Sequence, residues 1–470
     1  MRHRDLLLAV VAVVIAAAAL LVVRWVRDEA PLAGRYKCPD CNVVLVSIDT
    51  LRADHLGCYG YHRPTSPNID RFANDAVLFE QVVNTGGGTL PVHMSMFTSL
   101  PPIVHNVQPY NGRRLDAERI TLAEQLKERG YTTAAFADGG WLRAQFGFDQ
   151  GFDLYDDAGG GFRKIIPKVL AWIHTHREER FFLFVHTYDV HSGGRRLTYD
   201  PPEGFRGRFD LGYSGTFDGC RLRKCASKLL VWLNNHILEG KISGRNFFSA
   251  EELTYIVSLY DGAIAYADSE IGRLLDALRA LDLYDRTLII VTSDHGEEFL
   301  EHGLMLHWQN YEEQARVPLI LKLPSSRVRR RRVPALVSTL EVMPTILDIV
   351  DVPPNGEVRG ESMMPLLRGG TLRRSSVLMS GREKLRTQRW SLVLDEGPLD
   401  QLYDLATDPQ ERRNVAAEHP KVRAELRQQY NLTRRLQQQF AQKLSRKDEA
   451  AAPITEEHRR QLRSLGYLSD

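Results

Sequence analysis

Three stretches of this chain are almost wholly apolar, and each runs straight into acids or imidazoles. Asn42–Ile48 delivers Asp49, Phe181–Thr187 leads to Asp189 and His191, and Thr287–Thr292 leads to Asp294 and His295. A short, nearly continuous apolar run is the mark of a strand buried on both faces of a parallel sheet. The carboxyl end of such a strand is the edge where α/β proteins hold ligands. Between these runs the pattern becomes helical. Residues 69–83 read as a helix, Thr121 caps another that stops at Gly130, and 132–137 read as a strand. Ser249 and Glu252 form a capping box ahead of a helix that runs to about Leu281. Strands alternating with helices predict an α/β fold, a mixed, largely parallel sheet flanked by helices on both faces.

The main domain is expected over 42–371, with 193–248, rich in Gly, Arg, Pro and aromatics, as an insertion. From 372 the pattern shifts to short strands, among them 390–394, and then to a helix across 420–445. This predicts a small C-terminal α+β subdomain and helical tail over 372–470. At the other end, Arg2 and Arg4 precede an apolar run over 6–23. About 20 apolar residues cross a bilayer as a helix. The run continues past the alanines at 16–19, which favours an uncleaved anchor over 1–27 rather than a cleaved signal peptide. The charge flanks then put the rest of the chain, after a linker over 28–41, on the periplasmic or lumenal side of the membrane.

A net charge of +2 supplies no global field for nucleic acid, which is not expected as a partner. The basic run of Arg327, Arg329, Arg330, Arg331 and Arg332 reads as a solvated loop, with an anionic-lipid or acidic-substrate patch as the alternative. Cys38, Cys41, Cys220 and Cys225 read as two disulfides in an oxidising compartment, with three connectivities open. A structural zinc on the same four is the alternative. Cys58, in a Gly-Cys-Tyr-Gly turn, is expected to be a small buried residue.

Carboxylates and imidazoles gathered at one sheet edge make a ligand set for a divalent cation. Asp294 and His295 can share one ion if the chain turns there, and Gly296 permits the turn. Something must then be activated. In Gly86-Gly87-Gly88-Thr89-Leu90-Pro91-Val92-His93 the glycines let the backbone approach an anion, and a hydroxyl opens the following helix. A nearby cation lowers that hydroxyl's pKa and makes Thr89 a candidate nucleophile. Thr89 is also a good helix cap, with Pro91 in the first turn.

Several segments together carry a family resemblance. Residues 47–60, Ser-Ile-Asp-Thr-Leu-Arg-Ala-Asp-His-Leu-Gly-Cys-Tyr-Gly, resemble the opening metal-binding segment of sulfatases. Thr65-Ser66-Pro67-Asn68-Ile69-Asp70, the strand from Phe182 through His191, Ser293-Asp294-His295-Gly296-Glu297 and Tyr403-Asp404-Leu405 follow in that family's order, and Leu465-Gly466-Tyr467 is similar to the tail of many bacterial members. The resemblance covers 42–470. It implies an alkaline-phosphatase-like fold with one divalent cation, which could be manganese, calcium, magnesium or zinc. Asp49, Thr89, Asp294 and His295 would be its ligands. His191 and His307 would contact the transferred group or the leaving oxygen, His307 standing where many sulfatases have lysine. His93 would contact the anion or pack, His186 would be structural, and Asp54 would orient the first segment.

One departure matters. Sulfatases carry Cys-x-Pro-x-Arg and convert the cysteine to formylglycine, whereas Thr89, Pro91 and His93 occupy those positions here. Threonine cannot become formylglycine. A hydrated aldehyde expels sulfate by breaking its own C–O bond, but a Thr ester must be cleared at the central atom by water or another acceptor. The threonine and the Asp-His pair resemble phosphoglycerol- and phosphoethanolamine-transferase relatives. The expected activity is therefore ester hydrolysis or transfer on sulfate or phosphate esters, with phosphoryl chemistry favoured. A sulfatase using unmodified threonine and an anchored binding protein on a dead sulfatase fold are the rivals. The substrate is expected to be a small-molecule, lipid-headgroup or glycan ester.

Overall fold

The structure, a computed structural model, describes residues 36–193, 197–210, 212–325, 328, 330–394, 400–444 and 454–465. The expected anchor over 1–27, Arg327 and Arg329 of the basic run, and Gly466 and Tyr467 of the tail motif lie outside these residues. Among the described residues, no helix is long and apolar enough to cross a membrane.

Eight strands form the main sheet: β1 Asn42–Ile48, β2 Val77–Val83, β3 Thr132–Phe136, β4 Leu154–Asp156, β5 Phe181–Thr187, β6 Thr287–Thr292, β7 Leu319–Lys322 and β8 Arg331–Ser338. Their spatial order is β8-β2-β7-β6-β1-β5-β3-β4. Every neighbouring pair is parallel except the two made by β7, so the sheet is mixed, as expected. The three apolar runs are the central trio β6, β1 and β5. Ser47 of β1 pairs with both His186 and Thr292, which sets the carboxyl ends of the three strands level.

Strand alternation splits the apolar residues between two faces. Val44, Val46 and Ile48 of β1 pack with Leu183 and Val185 against one layer, which includes the Gly161–Thr175 helix and the long helix Ala250–Ala280. Val43 and Leu45 pack with Phe182 and Phe184 against the other. That second layer holds helix α1, Thr89–Thr98, and the helix Val342–Ile349. Burial of each such side chain stabilises by roughly 1.5–3 kcal/mol. Thr121 caps its helix as expected, in a capping box with Glu124, and the expected box of Ser249 with Glu252 forms.

The helix expected over 69–83 is only half present. A helix spans Pro67–Ala73, and β2 begins at Val77. The run Val77-Leu78-Phe79 finds partners on both sides, Phe79 opposite Leu319 of β7 and Val333 of β8. Pairing inside a buried sheet overrides the local helical spacing. The cysteines pair locally, Cys38 with Cys41 and Cys220 with Cys225, the latter across a short hairpin in the insertion. Cys58 is half-buried rather than buried, because its turn lies at the surface of the core.

The C-terminal part is an antiparallel four-stranded meander: β9 Ser376–Met379, β10 Lys384–Thr387, β11 Trp390–Val393 and β12 Gln401–Asp404. The helix Pro420–Leu444 lays Leu426 and Tyr430 on its apolar face. A buried ion network joins this sheet to the main one. Lys384 Nζ lies 2.8 Å from Glu411 and 3.2 Å from Glu312, and Arg386 Nε is 3.1 Å from Glu312. Removing one member of a buried pair strands its partner's charge and costs about 3–5 kcal/mol. Lys384→Ala is expected to lower unfolding stability by about that amount. The exposed Lys421→Ala should stay within about 0.5 kcal/mol of wild type, with urea midpoints at constant m-value as the measure.

Candidate functional site

The site forms where the three central strands end. β1 hands over to Asp49, whose N–H bonds to the Thr187 carbonyl of β5, so the first acid is pinned to the neighbouring strand. The next residue, Thr50, sits at φ 57°. A β-branched residue resists that left-handed conformation and holds it only where its surroundings over-determine it. The surroundings do so here. Tyr260 Oη donates to the Thr50 carbonyl at 2.7 Å, Thr50 Oγ1 donates to the Asp49 carbonyl at 2.7 Å, and the Thr50 N–H faces Asp294 Oδ1 at 3.4 Å. This sharp turn aims Asp49 across the edge toward Asp294.

Thr89 arrives from a different element. It is the first residue of α1, and Gly88, not Thr89, is the cap, at φ 85° and ψ −167°. That conformation is essentially restricted to glycine. Gly86 is required for a second reason. A Cβ there would stand 2.1 Å from the Ser380 carbonyl oxygen of the C-terminal subdomain. Ser380 N–H also donates to the Thr85 carbonyl, so the subdomain braces the glycine loop directly. The result places Thr89 Oγ1 3.1 Å from Asp49 Oδ2 and 3.2 Å from His295 Nε2.

Asp49, Asp294 and His295 each present a ligand atom within 4.8 Å of the others, all buried. Among the described residues, Asp49 Oδ1 and Asp294 Oδ2 have no hydrogen-bond donor. Burial, reinforced by the charge of Asp294, pushes the Asp49 carboxyl well up. At Asp294 burial is outweighed by His295, His93 and His186, which hold it below the usual range. Two buried carboxylates with orphaned oxygens and an adjacent imidazole suit a divalent cation, by charge and by donor type. His295 Nδ1 lies 3.0 Å from the Gly296 carbonyl. Donation there fixes the tautomer and leaves the Nε2 lone pair facing the two acids.

A ring of further histidines surrounds this centre. His191 Nε2 is 4.0 Å from Asp49 Oδ1, and its Nδ1 contacts the Ser192 carbonyl at 2.5 Å. Burial and then the neighbouring His307 push His191 down to about 3, so its ring stays neutral. His307 stacks near His191 and His295, with centroids 4.9 and 4.7 Å away. It lines a cavity of about 330 Å³ together with Gly88, Thr89, Trp141, Trp308 and Arg382. Trp308 is 39% exposed at this opening.

Four expected residues, Asp49, Thr89, Asp294 and His295, are thus brought together, with His191 and His307 beside them. His93 is not at the opening. It is buried behind Thr89, one nitrogen 2.9 Å from the Thr89 carbonyl and the other 2.8 Å from Ser47 Oγ. Both of its polar atoms are committed inside the protein, so the expected contact with a bound anion gives way to the packing alternative. Asp189 also turns away from the centre. It accepts from the Phe162 N–H and from Thr187 Oγ1, both at 2.7 Å. Sequence reasoning set His186 aside, yet its Nε2 is 3.5 Å from Asp49 Oδ2 and neither ring nitrogen has a hydrogen-bond partner. The signal was there, an imidazole in a run otherwise built from apolar residues. Glu297 and Arg382 were also given no role, since each acts across a distance only the fold closes.

Known proteins give the same picture. The family model described as Sulfatase matches residues 41–352, and one described as N-sulphoglucosamine sulphohydrolase, C-terminal, matches 300–442. Arylsulfatase K of Rattus norvegicus is 31% identical over 201 residues, 39% of this chain and 36% of that protein. The match therefore spans little more than a third of that relative's length. Among solved structures, BT4656 in complex with its substrate D-glucosamine-2-N,6-O-disulfate aligns at TM-score 0.67 and 20% identity over 85% of this chain and 98% of that one. The phosphonate monoester hydrolase of Agrobacterium radiobacter aligns at TM-score 0.67 and 20% identity over 89% and 98%. At such identities these alignments establish the fold. The Sulfatase match alone takes in well over half of the sequence, and the chain belongs to the sulfatase family.

Proposed function

We propose that this protein is a metal-dependent ester hydrolase that takes a phosphoryl or sulfuryl group onto Thr89 and then passes it to water, with phosphate esters the better substrates. The observation that carries the reading is the position of Thr89 Oγ1, 3.1 Å from Asp49 Oδ2 and 3.2 Å from His295 Nε2 on the wall of a cavity. Asp49, Asp294, His295 and Thr89 would hold a divalent cation, which would supply positive charge for the attack and for the oxygens of the ester. The remaining work falls to the chain. Thr89 Oγ1 releases its proton along the hydrogen bond to Asp49 Oδ2 and attacks the central atom in line. His191 and His307 face the oxygens on which charge grows. Trp141, Trp308 and Arg382 line the volume that the leaving group occupies.

Family membership supports ester hydrolysis, and the named relatives bracket the choice of ester. One neighbour takes a sulfated glucosamine, another is a phosphonate monoester hydrolase, and the sequence relatives are arylsulfatases. The threonine favours phosphorus, because a Thr ester must be cleared by attack at the central atom. The apolar run over 6–23 supports an anchored protein whose site faces the periplasm or a lumen.

Two expectations test the reading. Side-by-side assay of para-nitrophenyl phosphate, bis(para-nitrophenyl) phosphate and para-nitrophenyl sulfate should show faster turnover of a phosphate ester. Thr89→Ala should lower kcat by about 10³-fold or more, and Thr89→Ser should retain activity. Turnover of the sulfate ester alone, still dependent on Thr89, would make the protein a threonine sulfatase. Independently of activity, divalent cation at about 100 times its Kd should raise wild-type stability by about 2.7 kcal/mol. Asp294→Asn should abolish that increment in thermal melts and reduce metal bound per chain in elemental analysis.

A further inference from the structure

His307 is not held by the site's cation ligands alone. Its Nδ1 lies 3.0 Å from Glu297 Oε2, and Glu297 Oε1 accepts a 2.6 Å hydrogen bond from Tyr199 Oη. Glu297 is fully buried and Tyr199 is 1% exposed, so water does not compete for the contact between them. Tyr199 belongs to the 193–248 insertion and is wedged by Tyr260 and Phe299, with ring centroids at 5.3 and 5.8 Å. Glu297 follows the Asp294-His295-Gly296 turn, and its carbonyl accepts from Arg52 Nη1 at 3.0 Å. Tyr199 and Glu297, the first two members of the chain Tyr199–Glu297–His307, are therefore held in place by packing and hydrogen bonding. An imidazole whose Nδ1 is tied to a carboxylate must present Nε2 the other way, and His307 lines the cavity beside Thr89.

Resting on the hydrolase reading above, we infer that Tyr199 and Glu297 are positioning residues that hold the His307 ring with Nε2–H directed at the leaving oxygen of the ester. The step balances. Thr89 Oγ1 forms a bond to the central atom, and the bond from that atom to the leaving oxygen breaks with its electron pair on oxygen. The Nε2 proton moves onto that oxygen as Nδ1 takes the proton of its hydrogen bond with Glu297 Oε2, so the ring stays neutral and Glu297 becomes the carboxylate. Water that later attacks the central atom gives a proton to Nε2, Nδ1 returns its proton to Glu297, and the bond to Thr89 Oγ1 breaks with its electron pair on Oγ1, which takes back its proton from Asp49. The insertion thus reaches the chemistry through one phenol and one carboxylate.

A proton donor to the leaving oxygen matters most when that oxygen leaves poorly and little when it leaves well, and positioned acids typically contribute 10²–10⁴-fold. Glu297→Gln is therefore expected to lower kcat about 100-fold for an alkyl phosphate ester and under about 3-fold for the para-nitrophenyl ester, with KM and bound metal unchanged. Tyr199→Phe should shift the same ratio in the same direction by a smaller factor, about 3- to 10-fold, and serves as the test if Glu297→Gln does not fold. An equal fall for both esters, no fall for either, or a fall that tracks lost metal would each overturn the inference. Failure of the hydrolase reading looks different, because Thr89→Ala would then leave turnover intact or wild type would turn over neither ester.

Discussion

Two buried carboxylates, Asp49 and Asp294, set the terms for the rest of the structure. Their facing oxygens lie within 4.8 Å of the His295 nitrogen and have no hydrogen-bond donors of their own. Like charges that close, out of water, repel strongly, and among the described residues neither oxygen has a hydrogen-bond donor. The arrangement costs the fold energy unless positive charge arrives between them. The neighbouring rings of His295, His93 and His186 hold the Asp294 carboxyl below the usual carboxylate range. A divalent cation held between the two acids would supply that charge.

Holding that arrangement explains features that otherwise look unrelated. The central strands are paired so that Ser47, His186 and Thr292 stand level. Thr50 accepts a left-handed backbone because Tyr260, from the long helix on one face, bonds to its carbonyl. On the other face, α1 is aimed by a glycine loop into which the backbone of Ser380 packs. The C-terminal meander is therefore part of the site's scaffold. Its buried Lys384 and Arg386 lock it to Glu312, two residues after Asn310, whose Nδ2 bonds to the Ser380 carbonyl.

Much of this was legible in the sequence, and the misses have physical causes. The trio of buried strands and the acids at their ends follow from apolar periodicity and from where α/β sheets place ligands. The single antiparallel strand β7 and the edge strand β8 could not be read, because their partner β2 looked helical in isolation. Disulfide pairing was open from spacing alone, and the fold closes each pair within its own hairpin or turn. His93 was ambiguous because helical position does not tell which side of a helix end faces the cavity. Glu297 and Tyr199 are almost 100 residues apart, and no local pattern announces a side-chain contact between them.

The site also accounts for what stands in place of the family's arginine. His93 occupies that position, and its two nitrogens are spent on the Thr89 carbonyl and Ser47 Oγ. It braces the first turn of α1 from behind and offers no charge to a substrate. Burial pushes its ring down, so it contributes a neutral contact rather than a cation. A formylglycine hydrate needs a partner for its second hydroxyl, whereas a threonine has one oxygen, already held between Asp49 and His295. With Thr89 as the nucleophile proposed above, one oxygen stands where a hydrated aldehyde has two, and His93 packs where a charge would serve the second.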